Sequence, residues 1–155
     1  MTNQLLTPPM WIALVVGLAA IVEDVWRREI SNWISLAALG GGFGWQIWSG
    51  GWRGAGDAAL GVVAGFMVFL IFYLLGGMGG GDVKLMAGFG ALLGPWRSLE
   101  AALYTAVLGA LLAVLVLGVS ASIRWWKKAE GSRGPVSIPY APAIAAGVWL
   151  ALVPH

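Results

Sequence analysis

The sequence predicts an all-α integral membrane protein, a bundle of six transmembrane helices in which a short fourth helix follows a glycine-rich loop. Two observations lead to this fold class. Hydrophobic residues make up 59% of the chain and charged residues only 10%, which is about half the charge of an ordinary soluble domain. The apolar residues also form long runs separated by short polar stretches, the pattern of membrane-spanning helices. We expect residues 1–155 to form a single polytopic domain.

Five apolar runs approach the roughly 20 residues that a spanning helix needs. They cover about residues 8–25, 33–48, 58–75, 101–123 and 137–153. A sixth run, the fourth in chain order, covers about residues 83–94 and would reach only about 18 Å as a straight helix. It therefore needs support from its neighbours to lie in a bilayer. Glycines that recur four residues apart are expected to pack helices closely, and these pairs are Gly40/Gly44, Gly61/Gly65 and Gly90/Gly94.

The distribution of basic residues predicts the orientation of the bundle. With the N-terminus outside, the inner connections 25–32, 76–84 and 124–136 carry most of the lysines and arginines. The inner residues are Arg27, Arg28, Lys84, Arg124, Lys127, Lys128 and Arg133, and the outer ones are Arg53 and Arg97. Because positive residues stay on the cytoplasmic side, we expect both termini outside. Charges at membrane boundaries, rather than on one face, do not indicate nucleic-acid binding.

The scarcity of thiol and imidazole groups excludes several kinds of site. The chain has no cysteine, and its single histidine is His155. This excludes a thiol nucleophile and a cysteine zinc site, and it leaves no histidine pair for an HExxH metal centre. The glycine loop also lacks the Gly-Lys-Ser/Thr ending of a phosphate-binding loop. We therefore expect neither a metal nor a cofactor.

Acidic residues are the remaining candidates for chemistry. Four of the seven lie at predicted outer helix boundaries or in inner loops, where capping or solvation accounts for them. These four are Asp57, which is expected to cap a helix, Glu100, Glu29 and Glu130.

The other three acids are Glu23, Asp24 and Asp82. Asp24 ends the first predicted helix and Asp82 begins the fourth at the same membrane face, so these two carboxylates can meet in one pocket. Successive helical residues point about 100° apart. Glu23 therefore cannot face that pocket as well, and it is expected to pair with Arg27 or Arg28. For Asp24, the same ion pair and a functional role at membrane depth both stay open on position alone.

A converging pair of carboxylates can activate water. Two such groups cannot both ionise cheaply at close range, so they share a proton. One then acts as base toward water while the other donates to the scissile carbonyl oxygen. Helix dipoles favour an anion at Asp82, at a helix N-terminus, and a proton on Asp24, at a C-terminus. Arg27 and Arg28 oppose this assignment for Asp24.

Three stretches resemble the motifs of type IV prepilin peptidases. Residues 79–85 (GGGDVKL) resemble the GxGD motif of that family. Residues 24–32 (DVWRREISN) resemble its first motif, an aspartate that ends helix 1 followed by a basic residue and Ile-x-Asn, with Ser31 in place of the usual proline. Residues 138–142 (IPYAP) resemble the Pro-Tyr-x-Pro start of its last helix. The motifs occur in order over essentially the whole chain.

The resemblance implies a membrane aspartyl endopeptidase of a bacterial or archaeal cytoplasmic membrane. Its substrates would be prepilins or pseudopilins, which carry a basic leader before an apolar helix and are cleaved at the cytoplasmic face. Asp24 and Asp82 match the two catalytic aspartates of the family. The chain resembles the compact form that lacks the cysteine-containing cytoplasmic domain, so we expect leader cleavage without N-methylation.

The motif matches also supply further candidate residues. Those expected to contact the substrate are Gly79, Gly80, Gly81, Lys84 and Tyr140, and those expected to shape the structure are Arg27, Asn32, Pro139 and Pro142. Glycines at 79–81, 88, 90 and 94 would let a substrate helix lie beside the fourth segment. Lys84 would either attract an acidic substrate group and favour the anion at Asp82, or anchor the helix among lipid headgroups. Tyr140 is expected to line the same pocket as the acids.

Two other functions compete with the peptidase. A small ion-coupled transporter or channel also combines broken helices with intramembrane acids, but it predicts acids near the midplane and an internal repeat. A structural membrane partner would leave the glycine loop before Asp82 unexplained. The bilayer is the one partner that all three interpretations share, and the oligomeric state is not predicted.

Overall fold

The computed structural model describes residues 7–127 and 139–153, which form four α-helices. In chain order they are α1 (Pro8–Arg27), α2 (Asn32–Leu74), α3 (Gly80–Lys127) and α4 (Ala141–Leu152). The first three are long and apolar enough to cross a membrane, and α4 is a shorter apolar helix. The prediction of an all-α fold is confirmed for the described residues, and the three long apolar helices are consistent with the predicted multi-pass membrane protein.

The predicted count of six helices is wrong for the described residues. Predicted segments two and three form the two halves of α2 on either side of Gly51, and segments four and five form the two halves of α3 on either side of Gly94. The predicted outer loops are absent because each break needs only one non-helical residue, Gly51 (φ 58°) in α2 and Gly94 (φ 74°) in α3. Glycine adopts this left-handed region without steric penalty. Asp57, which was expected to cap a new helix, therefore lies inside α2, and Glu100 lies inside α3.

The chain bends sharply at both breaks. Residues eight positions apart are about 12 Å apart along a straight helix, yet a Cβ atom at Gly54 would collide with the carbonyl oxygen of Gln46. At the second break, Ser98 Oγ lies 3.5 Å from the carbonyl oxygen of Gly90 and 2.6 Å from that of Gly94. A Cβ at Gly94 would contact the side chain of Gln46, which precedes the break in α2. The two breaks therefore meet at one end of the bundle, which we call the break end.

The first half of α3, residues 80–93, is the centre of the bundle. Every residue from 85 to 93 is buried. Gly88 lies against Ser35 in the first half of α2, and Gly90 lies against Gly61 in its second half, where a Cβ on either glycine would collide with the carbonyl of the other. The two halves of α2 therefore enclose this short segment, which supplies the support that its length requires.

The predicted glycine contacts are only partly present. Gly61, Gly65 and Gly90 pack against backbone atoms of a neighbouring segment, whereas Gly40 and Gly44 have no atom near the position of a Cβ. Since Gly90 contacts α2 and Gly94 forms the break, neither provides open space for a substrate helix.

The last helix packs against α1 and α3. Trp149 Nε1 donates a hydrogen bond to the carbonyl oxygen of Ala13 at 3.1 Å, and Gly147 lies against Thr105. Helix α4 begins at Ala141 rather than at residue 137. Residues 137–138, most of the predicted inner loop 124–136, and His155 lie outside the described residues.

Candidate active site

The end of α1 and the starts of α2 and α3 enclose a polar cavity of about 290 Å³, which we call the acid cavity. It lies at the end of the bundle where both of the predicted catalytic acids are found. Its lining residues are Asp24, Arg28, Glu29, Ile30, Asn32, Gly79, Gly80, Gly81, Asp82 and Lys84. Asp24 and Asp82 are each 7% exposed, so the structure brings two buried carboxylates to one cavity.

Asp24 is held between the end of α1 and the start of α4. Arg28 ends α1 in the left-handed region (φ 55°), and its N–H donates to the carbonyl oxygen of Asp24 at 2.9 Å. The carboxylate oxygen Oδ2 accepts a buried hydrogen bond of 3.0 Å from the N–H of Ala141. The Asp24 carboxylate therefore lies against the N-terminus of α4.

The Pro-Tyr-x-Pro stretch explains how this donor is presented. Pro142 occupies one of the first two positions of α4, where its missing N–H is not needed and its fixed φ favours the helix. Pro139 and Pro142 have no N–H, so Tyr140 and Ala141 carry the only backbone donors of the stretch. That these prolines shape the start of the last helix stays a prediction.

Asp82 forms two hydrogen bonds with Gly79 in the glycine loop. It lies in the first turn of α3, and its Oδ2 accepts a hydrogen bond of 3.1 Å from the N–H of Gly79. The N–H of Asp82 donates back to the carbonyl oxygen of Gly79 at 3.2 Å. A Cβ at Gly81 would lie 3.3 Å from Ile30, so a larger residue there would press on the loop after α1.

Glu23, the neighbour of Asp24, forms one of the ion pairs that the sequence allowed. Glu23 Oε1 lies 3.8 Å from Arg27 Nη1, and Glu23 Oε2 accepts a hydrogen bond of 2.8 Å from the N–H of Ser31. Arg27 is 75% exposed and does not line the acid cavity, whereas Arg28 does.

Two charged residues of the cavity, Arg28 and Glu29, were not among the predicted site residues, although Arg28 was expected to influence Asp24. Both were assigned to an inner loop, and only the left-handed turn at Arg28 carries them into the cavity wall. Arginine gives no sequence signal for that conformation, since non-glycine residues with positive φ are uncommon.

Lys84 connects the starts of two helices. Its Nζ donates a hydrogen bond of 3.0 Å to Asn32 Oδ1, which ties the first turns of α2 and α3 together at the rim of the cavity. The sequence predicted a role in attracting substrate or in anchoring to lipid, and it did not predict this contact. Both predicted roles stay predictions.

Tyr140 lies outside the acid cavity. Its ring packs against Gly109 and lines a separate apolar cavity of about 200 Å³, the tyrosine cavity, together with Phe69 and Met78. Tyr140 therefore does not share a pocket with the acids as expected, although the N–H of the next residue contacts Asp24.

The two carboxylates have similar surroundings. Each accepts one backbone N–H and lies at a helix N-terminus, Asp82 at that of α3 and Asp24 at that of α4. The C-terminus of α1 favours a proton on Asp24, but the N-terminus of α4 favours the anion, so the two helix dipoles oppose each other there. Which acid is the resting base stays a prediction.

The arrangement suits the activation of water. The cavity has room for several water molecules, and both acids are oriented by backbone donors that need not move during a reaction. Within residues 7–127 and 139–153, no group of three or more histidine, aspartate or glutamate side chains could hold a metal ion.

Comparison with known proteins assigns the chain to a family. The type IV leader peptidase family model matches residues 11–114, a range that includes both acids. Proteins named prepilin leader peptidase/N-methyltransferase from Aeromonas hydrophila and Aeromonas salmonicida are 31% identical to it over 146 residues. The match covers 89% of this chain but 46% of each relative, so the chain spans about half their length. No solved structure matches significantly. The chain belongs to the type IV leader peptidase family.

Proposed function

We propose that the protein is an aspartyl endopeptidase that removes the leader peptide from prepilin-like substrates. Membership of the leader peptidase family supports the reaction class. The observation that carries the mechanism is that Asp24 and Asp82, 58 positions apart in the sequence, line one cavity. Of the two activities for which the relatives are named, we propose only the peptidase.

The proposed mechanism uses the two acids as a pair that holds one proton. The ionised carboxylate removes a proton from water, and the water oxygen attacks the carbonyl carbon of the scissile peptide bond. The protonated carboxyl group donates its proton to the carbonyl oxygen, which gives a neutral tetrahedral intermediate. In the breakdown, the carboxyl group that took the proton from water donates it to the leaving nitrogen, the other carboxylate takes a proton from a hydroxyl of the intermediate, and the C–N bond breaks. The N–H groups of Gly79 and Ala141 orient the two carboxylates throughout.

The proposed substrate has a basic leader followed by an apolar helix. Three carboxylates line the acid cavity, and Glu29 is the exposed one. An exposed carboxylate in the wall can attract a basic leader at modest desolvation cost. The transporter alternative is not proposed, because it predicts acids near the bilayer midplane, and Asp24 and Asp82 occupy the last turn of α1 and the first turn of α3.

Cleavage of a prepilin tests this function. Full-length protein in proteoliposomes should release the leader, and Asp24→Asn and Asp82→Asn should each lower kcat/KM by about 10³-fold or more, because each removes an essential proton carrier. Asp57→Asn is the matched control, an aspartate at the break end, and it should cleave at the wild-type rate. Full cleavage by either active-site variant would remove that residue from the mechanism.

We also propose that the acid end faces the cytoplasm, in line with the excess of basic residues in the connections predicted to be inside. Because the chain has no cysteine, single cysteines report accessibility without background. Ser49→Cys, beside the break in α2, should react with an impermeant maleimide in intact cells. Leu75→Cys, after α2 at the acid end, should react only after permeabilisation. The reverse labelling pattern would contradict this orientation.

A further inference from the structure

An apolar groove of about 400 Å³ begins where the acid cavity ends. Asn32 and Lys84 line both spaces, so the two are adjacent, with the hydrogen bond between these side chains at their boundary. Helices α2 and α3 start at this end of the bundle and run away from it together. The groove follows α2 from Asn32 to Leu39, a length of about 10 Å, or two helical turns.

The walls of this α2–α3 groove are built from single helix faces. On α2 they are Asn32, Ser35, Leu36 and Leu39, which have the i, i+3, i+4, i+7 spacing of one face. Ala87 and Phe66 add apolar surface from α3 and from the second half of α2. Leu36 is 52% exposed, so the groove is accessible from the lipid side. Such a shape accepts an apolar helix that approaches sideways within the bilayer.

Ser35 is an unpaired polar group in this groove. The residue is 8% exposed, and within the described part of the chain its Oγ has no hydrogen-bond partner. A buried hydroxyl without a partner is destabilising. The first turn of a helix has the complementary deficit, because its first four N–H groups lack intrahelical acceptors. A substrate whose leader junction lies at Asp24 and Asp82 would place that first turn near Ser35.

We propose that the α2–α3 groove binds the first two turns of the substrate's apolar helix, and that Ser35 Oγ accepts a hydrogen bond from a backbone N–H of its first turn. This inference rests on the proposed peptidase function. The tyrosine cavity is the rival location, but it is smaller and shares no lining residue with the acid cavity. Ser35 and Leu36 are thus assigned a role in substrate binding rather than in the chemical step.

Photo-crosslinking tests the location without needing turnover. A photoreactive amino acid replaces Leu36 in one protein and Ala106, in the tyrosine cavity, in another, both with Asp82→Asn to prevent cleavage. Leu36 should crosslink to the first two turns of the substrate helix, and Ala106 should not. Crosslinking from Ala106 alone, or from neither position, would overturn the proposal. Cleavage by the wild-type protein is measured separately, so adducts at Leu36 without any cleavage would reject the peptidase function and keep the binding site.

Kinetics separate binding from catalysis. Leu36→Trp narrows the groove at an exposed position and should raise KM for the full-length prepilin about tenfold with kcat unchanged. Ser35→Ala should raise KM about threefold, the effect expected for one lost neutral hydrogen bond, and Ser35→Thr should restore it by returning the hydroxyl. Ala106→Trp is the control and should change neither constant. A fall in kcat with KM unchanged in the groove variants would contradict the proposal.

Discussion

The two halves of α3 have similar apolar sequences but different surroundings. Residues 82–93, before the break at Gly94, are all buried between the halves of α2 except Lys84. After the break, large side chains such as Leu103, Leu111 and Val114 are between 62% and 72% exposed, as expected for a lipid-facing helix. The buried half carries Asp82. The comparison indicates that close glycine contacts, rather than hydrophobicity, decide which half forms the core and supports Asp82.

The largest expected effect comes from filling a glycine contact in the buried half. Gly90→Leu would force α3 away from Gly61, because a Cβ at Gly90 already collides with the Gly61 backbone. We expect loss of the folded bundle, seen as aggregation and loss of cooperative thermal unfolding in detergent. Gly118→Leu is the matched control in the exposed half, where a Cβ has open space, and it should fold normally. Normal folding of Gly90→Leu would refute the packing account.

A smaller effect is expected at the rim of the acid cavity. Lys84→Met removes the bond to Asn32 while keeping an unbranched side chain of similar length. It should lower kcat/KM about fivefold, since one hydrogen bond that positions α3 near Asp82 is lost. Arg97→Met, on the other half of α3, should change kcat/KM less than twofold. Equal losses of kcat/KM in the two variants would show that the hydrogen bond between Lys84 and Asn32 makes no specific contribution to cleavage.

The parts of the fold that follow from local sequence were predicted correctly. Hydrophobic run length gives the membrane helices, and the glycine loop before Asp82 gives the start of α3. The helix count was wrong because an apolar run does not reveal whether it ends in a loop or in one glycine with positive φ. Gly51 and Gly94 occupy such positions, whereas Gly40 and Gly44, equally plausible from sequence, do not.

The site was predictable as far as helix position determines it. The positions of Asp24 and Asp82 at helix ends were enough to place them together, and the 100° helical rotation correctly separated Glu23 from Asp24. The bond from Ala141 to Asp24 joins residues 117 positions apart, and no local pattern encodes it. The position of Tyr140 in the tyrosine cavity, rather than in the acid cavity, likewise depends on how its ring packs against Gly109.

The central claim is that Asp24 and Asp82 act on one water as a unit, and a double-mutant comparison tests it most directly. Here kcat/KM for one prepilin is measured with Asp24→Asn, Asp82→Asn and the double variant, all confirmed as folded. Residues that act as a unit are strongly non-additive, so the account predicts the same residual rate for all three proteins. A double variant that is slower by the product of the two single losses, or a single variant that retains the wild-type rate, would contradict it.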